Sequence, residues 1–185
     1  MNFKKHSAIV GKHAFLSPSK HHWVNYTGEK LETRFSASQA AARGTALHDL
    51  AHEAIRLGVK LSKANPTLSM YVNDAIGYKM TVEQSLYYSD NCFGHADTIS
   101  FRRNTLRIHD LKTGVTPASF TQLEIYAAIF CLEYGISPYD IIIELRIYQN
   151  SETIIVDGDA DVIFKIMDKI IIFDQRIEIM KAEGM

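Results

Sequence analysis

The chain is short of cysteine, of net charge and of long apolar runs, and each shortage removes a class of protein. Two cysteines, Cys92 and Cys131, in 185 residues cannot build a disulfide scaffold or a four-cysteine zinc or iron–sulfur site. A reducing cytoplasm is therefore the expected location. The longest apolar stretches, such as Ile141-Ile142-Ile143 and Ile170-Ile171-Ile172-Phe173, fall far below the roughly 18 residues of a membrane span. The basic start Met1-Asn2-Phe3-Lys4-Lys5-His6 is not followed by the apolar core of a secretory signal. Twenty basic against twenty-one acidic residues leave a net charge of −1. A global basic field is thus excluded, and a nucleic-acid partner would need local cation clusters or a bound metal. What is present is ordinary: with 46% hydrophobic and 22% charged residues, the composition predicts one folded domain over residues 1–185. Such a chain buries about two-thirds of its unfolded surface and needs no disulfide.

The pattern of residues predicts helices around a strand-rich middle. Ser17-Pro18-Ser19 reads as a turn whose serine caps a short helix through Trp23. Apolar residues recur with helical period over 45–61, and Asn65-Pro66 is expected to end or interrupt that helix. A second helix is expected over 69–79. Residues 83–89, 94–101 and 105–111 alternate as half-buried strands. A helix over 119–134 follows, stopped by Gly135 and Pro138. Strands at 141–149 and 153–156 surround Asn150-Ser151, and a long helix at 159–181 closes the chain. This order predicts an α/β fold in which a small mixed sheet of about five strands is flanked by helices.

The most informative segment is the hairpin from Gly94 to Gly114. With Arg103-Asn104 as a two-residue turn, Phe101 faces Leu106, Ile99 faces Ile108 and Asp97 faces Asp110. Directly opposed residues share a face, so two apolar layers end in a carboxylate pair, with Lys112 two residues beyond on the same face. Thr98, Ser100, Arg107 and His109 occupy the other face, polar enough to meet solvent or a second layer. Opposed carboxylates repel at about 5 Å unless a divalent cation lies between them. Mg²⁺ suits such a pair and keeps waters for phosphate chemistry.

The helices add further candidates. Leu47, Leu50, Ala51, Ala54 and Ile55 form one helical arc, opposite Asp49 and Glu53, and His48 borders that arc with an imidazole free to bind metal. Gln122 and Tyr126 project together, four residues apart, from the helix that follows Lys112-Thr113-Gly114. His48-Asp49-Leu50-Ala51-His52 is also an H-x-x-x-H on a helix, which leaves open a zinc hydrolase using His48 and His52. The His-Asp pairs at 48–49 and 109–110 are common to helical HD phosphohydrolases too, although the strand-rich middle counts against that fold.

Four segments, Arg43-Gly44-Thr45-Ala46-Leu47-His48, Gly94-His95-Ala96-Asp97, Asp110-Leu111-Lys112-Thr113-Gly114 and Gln122-Leu123-Glu124-Ile125-Tyr126, resemble in order and spacing the RecB-like branch of the PD-(D/E)XK nucleases. The opening, residues 13–23, is similar to the start of a phage-associated subgroup, and the likeness covers residues 13–134. The resemblance implies a restriction-endonuclease-like core and hydrolysis of DNA phosphodiester bonds with Mg²⁺ or Mn²⁺. The expected mode is that of an exonuclease in DNA processing, recombination or phage DNA metabolism, in the host cytoplasm if phage-encoded. It implies that His48, Asp97, Asp110 and the Leu111 carbonyl hold the metal and that Lys112 orients or activates the attacking water. Gln122 and Tyr126 would line the DNA side. Asp110 stands where Glu is commoner, one methylene shorter. No helicase P-loop and no iron–sulfur cysteines occur, so neither a nucleotide cofactor nor a cluster is expected. Lys4, Lys5, Lys12, Lys20, Arg102 and Arg103 are the expected phosphate contacts. DNA is the expected partner, a homo-oligomer is compatible, and a membrane is not expected. The remaining alternative is a catalytically inactive nuclease fold serving DNA binding or assembly.

Overall fold

The computed structural model describes residues 7–9, 14–62 and 64–184. Lys4, Lys5 and Lys12 lie outside the described residues. The chain divides into two compact units, Met1–Thr45 and Ala46–Met185, and helix α1 (Gly28–Leu57) contributes to both. In the first unit a 3₁₀ helix covers Pro18–Asn25. Ser17 precedes it as expected, but its hydroxyl pairs with Ser19 Oγ at 2.8 Å rather than with a backbone amide, and the Trp23 indole donates to the Ser17 carbonyl at 3.0 Å.

Helix α1 starts at Gly28, well before the expected 45. The added turns are rich in Ala, Glu, Lys, Gln and Arg, strong helix formers without apolar period. Thr27 Oγ1 accepts from Lys30 N at 3.2 Å and opens the helix. Asn65-Pro66 begins a helix rather than ending one. Asn65 accepts from Leu68 N at 3.2 Å, and Pro66 takes the first position of α2 (Pro66–Gly77), where its missing N–H costs nothing.

A five-stranded mixed sheet with flanking helices forms the body of the second unit. Strands β1 (Thr81–Ser89), β2 (Cys92–Arg102), β3 (Thr105–Leu111), β4 (Ile142–Gln149) and β5 (Glu152–Asp157) lie in chain order. Only β3 and β4 run parallel, joined through α3 (Thr121–Tyr134). Helix α4 (Ala160–Ala182) starts on Asp159, whose carboxylate accepts from Asp161 N at 2.8 Å. The β2–β3 register pairs Ile99 with Ile108 and Phe101 with Leu106, as the sequence predicts. Its turn has no glycine, yet Arg103 and Asn104 take the left-handed conformation, φ 50° and 60°. Tertiary contacts hold it there: Asn104 Nδ2 donates to the Asp140 carbonyl, and Ile142 N donates to the Asn104 carbonyl at 2.9 Å.

Each face of the sheet is covered. Leu106, Ile108, Leu145 and Ile147 pack with Leu123, Ala127 and Ala128 of α3 and Ile163 of α4. Leu111 and Tyr148 pack on the other face with Tyr71, Val72 and Ala75 of α2 and with Ala51, Ala54 and Ile55 of α1. Leu50, expected in the apolar arc, is exposed, and His52 is buried on that helix instead. The polar face of the hairpin meets this second layer: Thr98 and His109 are fully buried. Tyr148 OH lies 3.3 Å from His109 Nδ1 and donates to Asp74 at 2.7 Å, and Arg146 reaches Asp74, Glu144 and Tyr78. Burial, aided by the Arg146 and Arg107 charges, pushes His109 down to about 3. Among the described residues no helix is long and apolar enough to cross a membrane.

Candidate metal centre

The end of β3 collects the charged residues. Asp110 is the next-to-last residue of that strand and only 5% exposed. Strand alternation places it on the face of Ile108. Lys112 Nζ donates to its Oδ1 at 3.0 Å and lies equally 3.0 Å from Oδ2, so both oxygens face the ammonium, and Oδ2 accepts no hydrogen bond among the described residues. Burial and the neighbouring Asp97 raise the Asp110 carboxyl above its ordinary value, while Lys112 and His48 oppose the shift. The carboxylate is therefore held where its charge is not fully compensated.

Lys112 is fixed from two sides. Its amide donates to the Tyr148 carbonyl at 2.9 Å, carrying the β3–β4 pairing one residue further. Its ammonium donates to Gln122 Oε1 at 3.0 Å; Gln122 Nε2 reaches Tyr126 OH at 3.4 Å, and that hydroxyl donates to the His95 carbonyl at 2.7 Å. A relay of side chains thus ties β3 through α3 to β2. Gly94 makes room for it, because a Cβ there would stand 2.9 Å from Tyr126 Cε1.

Asp97 approaches the same end from β2. Its Oδ2 accepts from Leu111 N at 3.4 Å and lies 3.3 Å from His48 Nδ1. The β1–β2 register runs unshifted past this point, Val82 pairing with Thr98 and Gln84 with Ala96, which places Glu83, at φ 50°, opposite Asp97. Left-handed backbone at a residue other than glycine is strained and concentrates at functional positions.

No protein-family model, curated protein sequence or solved structure matches this chain.

One further histidine joins the site. His52 is 5% exposed, its Nδ1 lies 3.4 Å from Glu83 Oε1, and its Nε2 has no hydrogen-bond partner among the described residues. Glu83 is also gripped by the Arg56 guanidinium, which with His52 lowers its carboxyl pKa. One ring nitrogen each from His48 and His52 and one oxygen of Asp97 lie within 4.8 Å of one another. Ligands bound at about 2.0–2.2 Å stand at most about 4.4 Å apart. The three donors, up to 4.8 Å apart, stand wider than that, so one ion closes among them only if the side chains draw together slightly.

The structure puts His48 against Asp97, ties Asp97 to the Leu111 amide, and links Asp110, Lys112, Gln122 and Tyr126 in one relay; Asp110 is not among the three donors that lie within 4.8 Å of one another. Arg102 and Arg103 are not among them. They sit at the turn, five strand residues from Asp97, or roughly 17 Å. The sequence signal for His52 was its spacing of four from His48. Glu83 had none, because its place depends on pairing across β1 and β2.

Proposed function

We propose that this chain is a divalent-metal-dependent deoxyribonuclease of the RecB-like PD-(D/E)XK type, with a restriction-endonuclease-like core. The observation that carries the reading is the pair of carboxylates, Asp97 and Asp110, at one sheet end beside the single ammonium of Lys112. Burial and Asp97 raise the Asp110 carboxyl in spite of that ammonium, so the pair is short of positive charge. It fits a site that receives a cation. His48, Asp97, Asp110 and the Leu111 carbonyl would hold the ion. When bound, it lowers the pKa of water and offsets charge on the phosphoryl oxygens.

The chain's own residues supply the rest. Lys112, held by Asp110 and Gln122, keeps its ammonium where it can orient the attacking water and stabilise charge at the phosphate. Gln122, exposed beside it, and the half-buried Tyr126 offer an amide and a phenol to the substrate. Arg102 and Arg103 lie about five phosphate spacings away along a strand, since phosphates recur every 3.4 Å per strand. Their contribution is salt-sensitive affinity rather than chemistry. An exonuclease in DNA processing, recombination or phage DNA metabolism is the activity this reading favours, acting in the cytoplasm.

The test is incubation with end-labelled linear and circular DNA in Mn²⁺, Mg²⁺ or chelator. Linear DNA should be shortened from its ends and closed circles spared, with no product in chelator. Asp97→Ala and Asp110→Ala should each abolish cleavage while the circular-dichroism spectrum is unchanged. Metal-dependent cleavage surviving the double substitution would overturn the assignment. DNA binding without cleavage in any metal would instead identify an inactive nuclease-fold module. The convergence of His48, His52 and Asp97 also favours a second reading, a zinc hydrolase. That enzyme would have no use for Lys112, so indifference to Lys112→Ala would select it.

A further inference from the structure

We infer that His52 is a ligand of the metal centre, that Glu83 is its positioning carboxylate, and that the centre consequently takes a first-row transition ion, Mn²⁺ or Zn²⁺, ahead of Mg²⁺. The inference rests on the metal-dependent reading above for the location of the centre, and its test measures binding apart from cleavage.

His52 is 5% exposed, and its Nε2 has no partner among the described residues. Buried polar nitrogens are seldom left unpaired, and one that is needs a reason. Glu83 supplies half of it. Its carboxylate stands 3.4 Å from Nδ1, where it selects the tautomer with hydrogen on Nδ1 and a lone pair on Nε2. Metal-binding histidines commonly have a carboxylate at the other ring nitrogen, and Glu83 stands there at ion-pair distance.

Two features show that Glu83 is held there on purpose. The Arg56 guanidinium binds its other oxygen, and its backbone sits at φ 50° directly across from Asp97. Glu83 of β1 therefore sets one carboxylate behind His52 and lies opposite a second carboxylate that, with His48, faces the same donors. A purely structural tie between α1 and β1 would account for the contacts of Glu83 with His52 and Arg56. It would leave Nε2 unexplained.

The donor set decides the ion. Mg²⁺ prefers oxygen ligands in an octahedral shell and keeps its waters, whereas imidazole suits zinc and other first-row transition ions. Two imidazoles with one carboxylate favour the second class. Without His52 a single imidazole, His48, remains beside the oxygen donors Asp97, Asp110 and a main-chain carbonyl, which shifts the set toward oxygen.

Metal-stripped protein is titrated calorimetrically with Zn²⁺, Mn²⁺ and Mg²⁺, in the original sequence, His52→Gln and Glu83→Gln, each checked by circular dichroism. The expected result is tighter binding of Zn²⁺ and Mn²⁺ than of Mg²⁺. Glu83→Gln, at a half-exposed side chain, should weaken transition-metal binding about 10- to 100-fold. His52→Gln should weaken it at least as much, and Mg²⁺ affinity should stay unchanged in both. Equal affinity for Mg²⁺, no binding of any ion, or a change below about twofold in both variants would overturn the inference. Cleavage assays on the same samples separate it from the nuclease reading. His52-dependent binding without cleavage keeps the inference and rejects the nuclease. Mn²⁺-dependent cleavage and binding indifferent to His52→Gln do the reverse.

Discussion

Replacing Asp110 by Asn tests whether this carboxylate is kept for a ligand or for the fold. The amide has the same shape and can still accept from Lys112 Nζ, which donates to Oδ1 at 3.0 Å. Burial and Asp97 raise the Asp110 carboxyl, so in the protein alone its negative charge costs free energy. Without metal the substitution should be neutral or stabilising, by on the order of 1 kcal/mol. With metal the sign reverses. An ion present at a hundred times its dissociation constant stabilises the folded chain by about 2.7 kcal/mol. For a chain of this size each kcal/mol moves the midpoint by about 2–4 °C, so the native sequence should gain roughly 5–11 °C. Asp110→Asn should gain little of that. Thermal unfolding followed by circular dichroism, in chelator and in saturating Mn²⁺, reads both arms. A variant clearly less stable than the native chain in chelator, yet equally stabilised by Mn²⁺, would refute the reasoning.

Three other outcomes follow from the geometry. Gln122→Ala removes the second acceptor of the Lys112 ammonium, so the maximal cleavage rate should fall by about tenfold with the melting temperature unchanged. Gly94→Val places a side chain against Tyr126 Cε1, which even a bare Cβ approaches to 2.9 Å. It should cost about 1–3 kcal/mol by overpacking, and Tyr126→Ala in the same chain should recover most of the loss in a double-mutant cycle. Acid should weaken the fold through His109, held neutral with its pKa at about 3 against an ordinary 6.5. Because the folded value is the lower, its contribution is complete above pH 6.5 and is lost as pH falls toward 3. The largest loss is about 5 kcal/mol. His109→Gln should flatten stability across that window, as measured by urea unfolding at successive pH values.

The parts of the fold visible in the sequence are those fixed by local chemistry. The β2–β3 register follows from alternation around a two-residue turn, and the observed pairs run from Arg102–Thr105 to Thr98–His109, one step short of Asp97 and Asp110. Gly135 ends α3 in the left-handed conformation, φ 63°, as a C-terminal glycine should. The start of α1 was hidden because its early turns carry helix propensity without apolar period. Asn65-Pro66 reads equally as a stop and as a start, and the capping bond to Leu68 N decides between them. Leu50 and His52 exchange roles for a geometric reason: residues 51, 54 and 55 centre the buried face of α1 on the side of His48 and His52. Glu83 could not be found at all from one strand. Its partner His52 lies on α1 and its opposite Asp97 on β2, and only their assembly gives the residue a role.

The distribution of unsatisfied polar atoms separates the two polar regions of the sheet. On the α2 face Asp74, Tyr78, Arg146 and Tyr148 spend most of their donors and acceptors on one another. Such a network stabilises through its paired members, and beside it His109 is held neutral and sequestered, with Nε2 left without a partner among the described residues. Five buried side-chain atoms lack a partner among the described residues: His52 Nε2, Tyr71 OH, Ser100 Oγ, His109 Nε2 and Asp110 Oδ2. Two of these, His52 Nε2 and Asp110 Oδ2, belong to the candidate centre. A third, Tyr71, is close enough to feel both Asp97 and Asp110, which together with burial raise its pKa. Unpaired groups scattered by chance would not converge with a strained Glu83 and two like charges on one end of one sheet. A fold that satisfies a buried arginine so thoroughly on one face has the means to satisfy an aspartate on the other. Asp110 has one ammonium across both its oxygens and a second carboxylate beside it, and the positive charge still lacking at that sheet end is what a bound cation would supply.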